Sequence, residues 1–337
     1  MPIKICTIGC GGIANSCHGP SYAKYARENP DAAFAACCDL DADKAAAFAK
    51  KFGFARSYRD FREMLRTEKP DAVCVTVHED HTAAVGAEVL SGGYATFLEK
   101  PPGKNSAETR MLIEAAKKSG AINQVGYNRR FLPLLQALKT MITSTAAGAP
   151  ESANEPQFVR YDFYRVARYD EDFSDTAVHG IDAVRYIAGG DYAKVRFMYQ
   201  DLPRFGAGVK NIYMDCVMTS GVYAQLSFCP VTGIVAERAT VHSAGSTWMA
   251  NTPIWAEGYD KPGELIHVRD GVTAARVSGA VLCDSGDVYI TNGFYNEDKS
   301  FFDSVRAGRK CACDLESSLN TSLIKDCITN LAESFGY

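Results

Sequence analysis

The sequence predicts an α/β N-terminal domain built on a doubly wound parallel sheet, followed by an α+β C-terminal domain. Two observations predict the first domain: strand-like and helix-like segments alternate, and a glycine-rich turn follows the first apolar strand. A third predicts the second domain, because longer runs rich in aromatic and β-branched residues follow one another beyond residue 156. We place the domains at residues 1–128 and 129–337, with a closing helix that can pack back on the first domain.

The N-terminal segments alternate in a regular order. An apolar strand over 4–8 leads into the glycine turn, and a second strand over 33–38 ends at Asp39. The segment 71–77 is a β-branched run, which is typical of a strand buried on both faces. The other N-terminal predictions are helices over 41–51, 61–66 (with Asp60 as N-cap), 82–91 and 106–119, and strands over 94–98 and 121–127.

The C-terminal segments have a different character. Residues 143–156 are rich in Ala, Ser, Thr, Gly and Pro and separate the two parts. Because strands then follow strands, we expect an antiparallel sheet. The predicted strands are 157–166, 195–199, 212–216, 222–228, 240–242 and 288–291, and the predicted helices are 175–187, 297–307 and 317–333.

Composition excludes several classes of protein. Hydrophobic residues make up 47% and charged residues 23%, as in ordinary globular enzymes, and the net charge of −4 argues against a dedicated nucleic-acid binder. No apolar stretch reaches the ~20 residues of a membrane span, and no signal peptide is recognisable. We therefore expect a cytoplasmic protein that makes no membrane contact.

The twelve cysteines are expected to act as small buried apolar residues. They occur singly or as the close pairs Cys37/Cys38 and Cys311/Cys313, and no C-x-x-C spacing is present. Neither pair has a second pair or a histidine cluster that would complete a tetrahedral zinc site. We expect no metal.

The glycine turn has the pattern Gly9-x-Gly11-x-x-Ala14, with Gly12 and Ile13 between its last two positions. Gly9 allows a tight turn, and Gly11 lets the backbone approach a pyrophosphate. Ala14 lets the following helix pack closely on its strand. These residues predict a dinucleotide site, and a purely structural turn is the alternative.

Asp39 follows the second strand, where an acidic residue can accept hydrogen bonds from both adenosine ribose hydroxyls. The same carboxylate would repel a 2′-phosphate, so the predicted cofactor is NAD. Lys44, close behind, leaves NADP open.

Glu99-Lys100-Pro101 directly follows the fifth strand, at the edge of the sheet where the nicotinamide would lie. The Lys100 ammonium could donate to a substrate hydroxyl and stabilise the alkoxide that develops as hydride leaves. The prolines that follow would hold the turn. A solvated surface lysine is the alternative.

The segment 175–182 is the second candidate. If it is helical, Asp175 and His179 lie at i and i+4 on one face, with Asp182 a turn further along. A histidine beside a carboxylate suits the removal of a hydroxyl proton near neutral pH. Zinc or manganese would suit the same spacing, but no third clustered ligand is evident. An amphipathic helix with a hydrogen-bonded histidine is the structural alternative.

Residues 78–81 end the central strand with two histidines and two acids. Their place at the carboxyl edge favours cofactor or substrate contact. Equally, Asp80 could be only a helix N-cap, with His81 a first-turn residue that has no role.

Residues 127–131 follow the last N-terminal strand and include Tyr127, Arg129 and Arg130. One arginine could reach a substrate oxygen or carboxylate, and we expect the other to be solvated.

Together these residues resemble the Gfo/Idh/MocA family, the group of glucose-fructose oxidoreductase and inositol dehydrogenase. The resemblance runs nearly from end to end, and its most specific part is E-K-P followed by D-x-x-x-H behind a Rossmann start. The matching segments are 8–14 with His18 close behind, Asp39, 71–73, the turn from Thr76 to His81, 99–101, 126–131, Asp175 with His179, and 294–301 with Gly308.

The resemblance implies an N-terminal Rossmann domain and a C-terminal domain with a large, mostly antiparallel open sheet, whose outer face forms a homodimer or homotetramer. It also implies that Lys100 orients the substrate hydroxyl, His179 is the general base, and Asp175 assists it and binds the sugar. Further contacts implied for the cofactor are Thr76, His78, His81, Glu99 and Lys100, and for the substrate Tyr127 and Arg129.

Two departures from the family pattern reshape the expected pocket. Ala177 stands where a glycine is common, and Val77 and His78 replace a frequent proline and a small polar residue. The identity of the substrate therefore does not follow from the resemblance.

The expected function is NAD(P)-dependent transfer of a hydride between nicotinamide and a CH–OH or carbonyl carbon of a sugar, polyol or sugar derivative. One alternative is redox-assisted glycoside hydrolysis, in which product forms without net NADH. Another is a non-catalytic, cofactor-bound regulator, against which the presence of Lys100, Asp175 and His179 counts.

Overall fold

The computed structural model describes residues 2–144, 155–253 and 262–336. The chain divides into two compact units, Met1–Tyr127 with Phe294–Ser322 and Asn128–Gly293 with Leu323–Tyr337. The whole of segment 294–322 thus lies with the first unit. The sequence analysis allowed only a closing helix to pack back on that unit. Most of the segment 143–156, expected to separate the domains, lies outside the described residues.

The first unit is built on a parallel sheet. Its strands within the described residues are β1 (Ile3–Ile8), β2 (Ala32–Cys38), β3 (Arg56–Tyr58), β4 (Ala72–Val75), β5 (Ala95–Glu99) and β6 (Asn123–Gly126). They run in the order β3-β2-β1-β4-β5-β6, which confirms the doubly wound sheet. The order reverses between β1 and β4, and ligands of such sheets bind outside the carboxyl ends of the strands at that point.

Helices connect these strands. They are α1 (Gly19–Glu28), α2 (Ala42–Phe52), α3 (Phe61–Glu68), α4 (Glu79–Ser91) and α5 (Ser106–Ser119). Asp41 and Asp60 each accept two backbone N–H bonds at the starts of α2 and α3, as their residue types predict. Helix α4 begins earlier than predicted, because His78 rather than Asp80 is its N-cap.

The connection between β1 and α1 contains a π-helical turn over Ala14–His18, in which the Gly19 N–H bonds to the Ala14 carbonyl. Pro20, in the first turn of α1, has no N–H to offer the preceding turn. A one-turn π-bulge accommodates such a residue without ending the helix.

The second unit is built on a mixed, mostly antiparallel sheet, as predicted. Its strands are β7 (Phe158–Tyr164), β8 (Tyr192–Asp201), β9 (Lys210–Met218), β10 (Tyr223–Cys229), β11 (Ala236–Ser243), β12 (Ser246–Asn251), β13 (Glu264–Arg269), β14 (Val272–Ser278) and β15 (Ser334–Phe335). Their order is β14-β13-β12-β11-β7-β10-β9-β8-β15. Of the strand pairs described, β7 and β10 are parallel and the others in this sheet are antiparallel.

Helices α6 (Pro133–Thr143) and α7 (Ser174–Ala188) contribute to the core of this unit. Gly180 lets α7 approach the sheet, since a Cβ at this position would lie 2.7 Å from the Phe228 ring and 3.2 Å from Tyr161. The buried residues Ala177, Ile181 and Val184 lie on the same helix. Helix α7 therefore packs directly on β7 and β10.

The strand predicted at 288–291 is wrong. These residues form the short helix α9 (Val288–Thr291), which follows another short helix, α8 (Gly279–Cys283). β-branched side chains suggested a strand, but the Thr291 and Asn292 N–H groups bond to the Asp287 and Val288 carbonyls as in a helix.

Helix α10 (Phe294–Arg306) packs an aromatic face in the first unit, and α11 (Leu315–Thr329) follows it. Phe302 lies 4.9 Å from Tyr25 and 5.8 Å from Tyr22 between ring centroids, and Phe301 lies 5.9 Å from Phe97. These ring contacts explain why residues late in the sequence belong to the first unit.

All twelve cysteines are free thiols, and most are buried, as expected. Burial raises the pKa of Cys6 to about 12, which makes it chemically inert near neutral pH. Among the helices in the described ranges, none combines the length and apolar character that crossing a bilayer would require.

Candidate functional site

A cavity of about 410 Å³ lies in the first unit at the carboxyl ends of β1, β2 and β4. This is the crevice at which the strand order reverses. Predicted site residues that line it are Gly9, Gly11, Asp39, Thr76, His78 and His81. The other lining residues, to which the sequence analysis assigned no ligand contact, are Ile8, Cys38, Leu40, Arg59, Phe61, Val77, Ala84 and Val85.

The glycine turn is locked against β4 on one side and open on the other. Gly9 has φ of 99°, and a Cβ there would lie 2.6 Å from the Thr76 carbonyl oxygen. The Thr76 hydroxyl donates to the Gly9 carbonyl at 2.8 Å. At Gly11 and Gly12, by contrast, a Cβ would meet no described atom within 4 Å. The turn thus leaves the space that a pyrophosphate needs at the start of a helix.

Ala14 is fully buried, as close packing of the helix on its strand requires, and Ile13 is partly exposed. The residues of the turn therefore fit a dinucleotide.

Asp39 is held in place by two backbone donors. One carboxylate oxygen accepts the Cys10 N–H at 2.9 Å and the other accepts the Asp41 N–H at 3.0 Å. Lys44 is the residue for which NADP was kept as an alternative cofactor. Its Nζ lies 3.6 Å from Asp41 Oδ2, and it does not line the cavity. The basic side chain at the cavity is Arg59, whose Nε donates to the Leu40 carbonyl at 3.3 Å. A fixed carboxylate at this position suits a ribose with a free 2′-hydroxyl.

The two histidines after β4 both reach the cavity. His78 caps α4 by accepting the Asp80 N–H at 3.4 Å, so it has a structural role as well. Asp80 does not cap the helix; its carboxylate lies 2.5 Å from Lys104 Nζ.

Glu99 and Lys100 follow β5, as predicted. Glu99 is buried and Lys100 is half-buried, and the Lys100–Pro101 peptide is cis. The Lys100 N–H donates to Glu99 Oε2 at 2.8 Å. The carboxylate of Glu99 thus contacts the backbone of the residue expected to meet the substrate.

His18 is a residue to which sequence reasoning assigned no role. Its Nε2 lies 2.9 Å from Glu99 Oε1 and its Nδ1 lies 3.0 Å from Asp298 Oδ1, and the histidine is fully buried. Burial acts to lower the pKa of His18, but the Asp298 and Glu99 carboxylates outweigh it and hold that pKa well above its usual range. The imidazole therefore donates from both nitrogens. The signal in the sequence that could have identified His18 was its position close behind the glycine turn.

Glu297 is buried next to Asp298, and within the described ranges these two acids with His18 form a group whose atoms could ligate a metal within 4.8 Å of one another. Both ring nitrogens of His18 already make hydrogen bonds, one to Asp298 and one to Glu99.

In the second unit, Asp175 and His179 lie on α7 as predicted, at i and i+4. Asp175 Oδ1 lies 3.0 Å from Lys325 Nζ, and Lys325 is almost fully buried. Both Asp175 and His179 are partly exposed, as groups that meet a substrate must be. Nothing in the spacing of the sequence connects Lys325 with this pair.

Asp182, the third predicted member of this helix face, does not act with Asp175 and His179 as a candidate group. It is fully buried and accepts two 2.6 Å hydrogen bonds from Arg130. Arg185 lies 3.3 Å from the same carboxylate. The expectation that Arg130 is solvated is therefore wrong, because its guanidinium forms a bidentate pair with a buried acid.

Arg129 belongs to a second buried ion cluster. Its guanidinium donates to both Glu237 oxygens, at 3.1 and 2.6 Å, and Glu237 also accepts from Arg165 and from the Tyr161 hydroxyl. Burial would raise the pKa of Glu237, but Arg129 and Arg165 lower it to about 2. Tyr127 is also buried. The predicted substrate contacts of Tyr127 and Arg129 stay predictions.

Comparison with known proteins gives the decisive observation for the first unit. Residues 3–127 match a family described as an oxidoreductase family with an NAD-binding Rossmann fold, Gfo/Idh/MocA. The first unit is similar to the NAD-binding domain of the Gfo/Idh/MocA oxidoreductases. The residues of the glycine turn, Asp39 and the E-K-P turn all lie within the matched range.

Curated relatives of this chain include two sugar or polyol dehydrogenases. The myo-inositol 2-dehydrogenase of Thermotoga maritima is 27% identical over 197 residues, 57% of each chain. The D-glucoside 3-dehydrogenase of Escherichia coli is 30% identical over 151 residues, 44% of this chain and 41% of the relative. The chain thus spans about half the length of the curated relatives it matches.

The fold extends further than these sequence matches. A Gfo/Idh/MocA oxidoreductase from Vibrio cholerae superposes with a TM-score of 0.79 at 22% identity, covering 98% of this chain and 99% of the other. The similarity of fold therefore extends over the second unit, with its mixed sheet and α7.

Proposed function

We propose that this chain is an NAD-dependent oxidoreductase of the Gfo/Idh/MocA family that transfers a hydride between nicotinamide and a CH–OH carbon of a sugar or polyol. The observation that carries the proposal is the cavity at the β1–β4 crevice, where open space at Gly11 adjoins the fixed carboxylate of Asp39. The inositol and glucoside dehydrogenases among the relatives support the substrate class.

The residues proposed to hold NAD are those of the glycine turn, Asp39, Thr76, His78, His81, Glu99 and Lys100. Bound NAD would supply the hydride acceptor. His179 would take the hydroxyl proton at a ring nitrogen, since imidazole is suited to this near neutral pH. Asp175 would assist His179 and contact the sugar, and the Lys100 ammonium would stabilise the developing alkoxide.

A substrate screen with the purified protein tests the proposal. Reduced-nicotinamide absorbance is followed with NAD and with NADP, across inositols, aldoses, sugar acids and amino sugars. We expect turnover with one class of compound and a preference for NAD. Cofactor binding without turnover of any compound would contradict a dehydrogenase function, and aryl glycosides would then test redox-assisted hydrolysis.

Two variants test the assigned roles. Lys100→Met and His179→Ala are each expected to lower kcat by about 100-fold or more while NAD still binds. The matched controls are Lys104→Met, in the same loop, and His242→Gln, in the sheet of the second unit. Unchanged kcat in both test variants would remove Lys100 and His179 from the mechanism.

We further propose that the outer face of the second sheet pairs with a second copy of this chain. Met198, Val217 and Tyr223 are exposed, and the pairing of Val217 with Tyr223 and of Met198 with Tyr213 puts them on one face. Light scattering should give a dimer or tetramer, and Val217→Lys should shift it toward monomer. A monomeric wild type would contradict this assembly.

A further inference from the structure

A continuous chain of hydrogen bonds in the first unit ends at the backbone of Lys100. Asp298 Oδ1 lies 3.0 Å from His18 Nδ1, His18 Nε2 lies 2.9 Å from Glu99 Oε1, and Glu99 Oε2 accepts the Lys100 N–H at 2.8 Å. The chain connects three separate parts of the unit: the turn that precedes α1, the end of β5, and α10.

The chain is shielded from solvent along its length. His18 and Asp298 are fully buried and Glu99 is 7% exposed. In such surroundings, hydrogen bonds between charged groups are short, strong and directional. The ring of His18 is also packed against Phe97 and Phe294, at 5.4 and 5.5 Å between centroids. Neither the imidazole nor the Glu99 carboxylate is free to rotate.

A lysine ammonium lies at the end of a flexible four-carbon chain. Its position can therefore be defined no more precisely than that of the backbone that carries it. Catalysis by hydrogen bonding to a developing alkoxide depends strongly on that placement. The Lys100 backbone is held by Glu99, and Glu99 is held by His18.

We propose that His18 is a positioning residue for Lys100, acting through Glu99 and anchored by Asp298. Its catalytic consequence rests on the proposed oxidoreductase function, whereas its effect on the Lys100 turn concerns the first unit alone. His18 does not touch the substrate in this proposal.

The first test needs no substrate. Acylation rates of Lys100 and Lys104 are compared by mass spectrometry in the wild type, His18→Gln and Asp298→Asn. We expect Lys100 to react at least about threefold faster in both variants, because its turn is released, with Lys104 unchanged. The matched control is Asp303→Asn, the same change on the same helix, where the carboxylate accepts from the Tyr25 hydroxyl at 3.0 Å instead.

The second test uses the substrate found in the screen. His18→Gln and Asp298→Asn should lower kcat by about 10- to 100-fold and leave the Kd for NAD within about twofold, whereas Asp303→Asn should keep wild-type kcat. A merely stabilising role would lower the melting temperature in all three variants without this split between kcat and Kd.

Equal Lys100 acylation in the wild type and Asp298→Asn would overturn the positioning role, and so would a wild-type kcat in folded Asp298→Asn. If His18→Gln does not fold, Asp298→Asn decides the test alone. Faster Lys100 acylation in a protein that oxidises no sugar would support the positioning role and contradict the proposed function instead.

Discussion

Lys325 Nζ lies 3.0 Å from a carboxylate oxygen of Asp175, so the acid expected to assist His179 is ion-paired within its own unit. Lys325 is almost fully buried and Asp175 is about one-third exposed. A buried ammonium limits the rotation of the carboxylate it meets. The pair therefore gives Asp175 a defined orientation on α7.

Replacing Lys325 tests this role. Lys325→Met keeps the length and apolar stem of the side chain but removes the charge, so Asp175 loses its orienting partner. We expect kcat to fall by about tenfold with the Kd for NAD unchanged. The control is Lys117→Met, which removes an exposed pair of similar length, 3.1 Å from Glu316. Equal kcat in the two variants would mean that the Lys325 contact has no part in catalysis.

Gly11→Ala separates cofactor binding from folding. A Cβ at Gly11 meets no described atom, so the free energy of unfolding should stay within about 0.5 kcal/mol of wild type. The same methyl group would occupy the space assigned to the pyrophosphate, and the affinity for NAD should fall at least about tenfold. Gly286→Ala, also in open space, is the control for both measurements. Unchanged NAD affinity in Gly11→Ala, by titration calorimetry, would place the cofactor elsewhere.

Asp39→Ser tests cofactor choice. The carboxylate that Cys10 and Asp41 hold in place would no longer repel a 2′-phosphate, while Arg59 at the same cavity could attract one. The ratio of the Kd for NADP to that for NAD should fall by at least about tenfold, with Asp43→Ser as control. A ratio that does not change would assign the discrimination to another residue.

Glu237 should make the free energy of unfolding depend on pH in the acid range. Arg129 and Arg165 lower its pKa from 4.5 to about 2, so the native state binds the proton less readily than the unfolded chain. Its contribution of about 3 kcal/mol is present above pH 5 and is lost as pH falls toward 2.

Glu237→Gln should remove that acid-dependent part and cost about 3–5 kcal/mol in the free energy of unfolding, because two arginines are left without their buried partner. Glu264→Gln, which breaks a more exposed pair with Arg276, should cost less than about 1 kcal/mol. Urea unfolding of the three proteins between pH 2 and 7 measures both effects. Parallel pH profiles for wild type and Glu237→Gln would contradict the low pKa.

Local signals predicted much of the fold. The N-cap at Asp60 marks the start of its helix through interactions within a few residues, and the structure confirms it. The strand β3 is only three residues long and largely exposed, so it carries no apolar pattern. The outer strands β12 to β14 and the helix at 288–291 also escaped prediction, since their conformation depends on neighbours distant in sequence.

The residues of the candidate site also divide into those that short sequence patterns predicted and those that they could not predict. The glycine turn, Asp39, the E-K-P turn and the Asp175–His179 spacing are short patterns and could be found in the sequence. The partners that hold them could not, because Asp298 meets His18 and Lys325 meets Asp175 only after distant parts of the chain have folded together. Arg130 was misjudged for the same reason, since nothing near it in the sequence announces Asp182.

The parallel pairing of β7 with β10 bears on how the molecule assembles. Phe158 pairs with Tyr223 across a loop that contains α7, β8 and β9, and this pairing is the point at which two halves of the sheet are joined. Closing so long a loop loses chain entropy before any contact compensates, which makes such pairings slow. Helix α7, which carries Asp175 and His179, packs on both of these strands. The position of the two candidate residues therefore depends on a pairing between segments that are distant in the sequence.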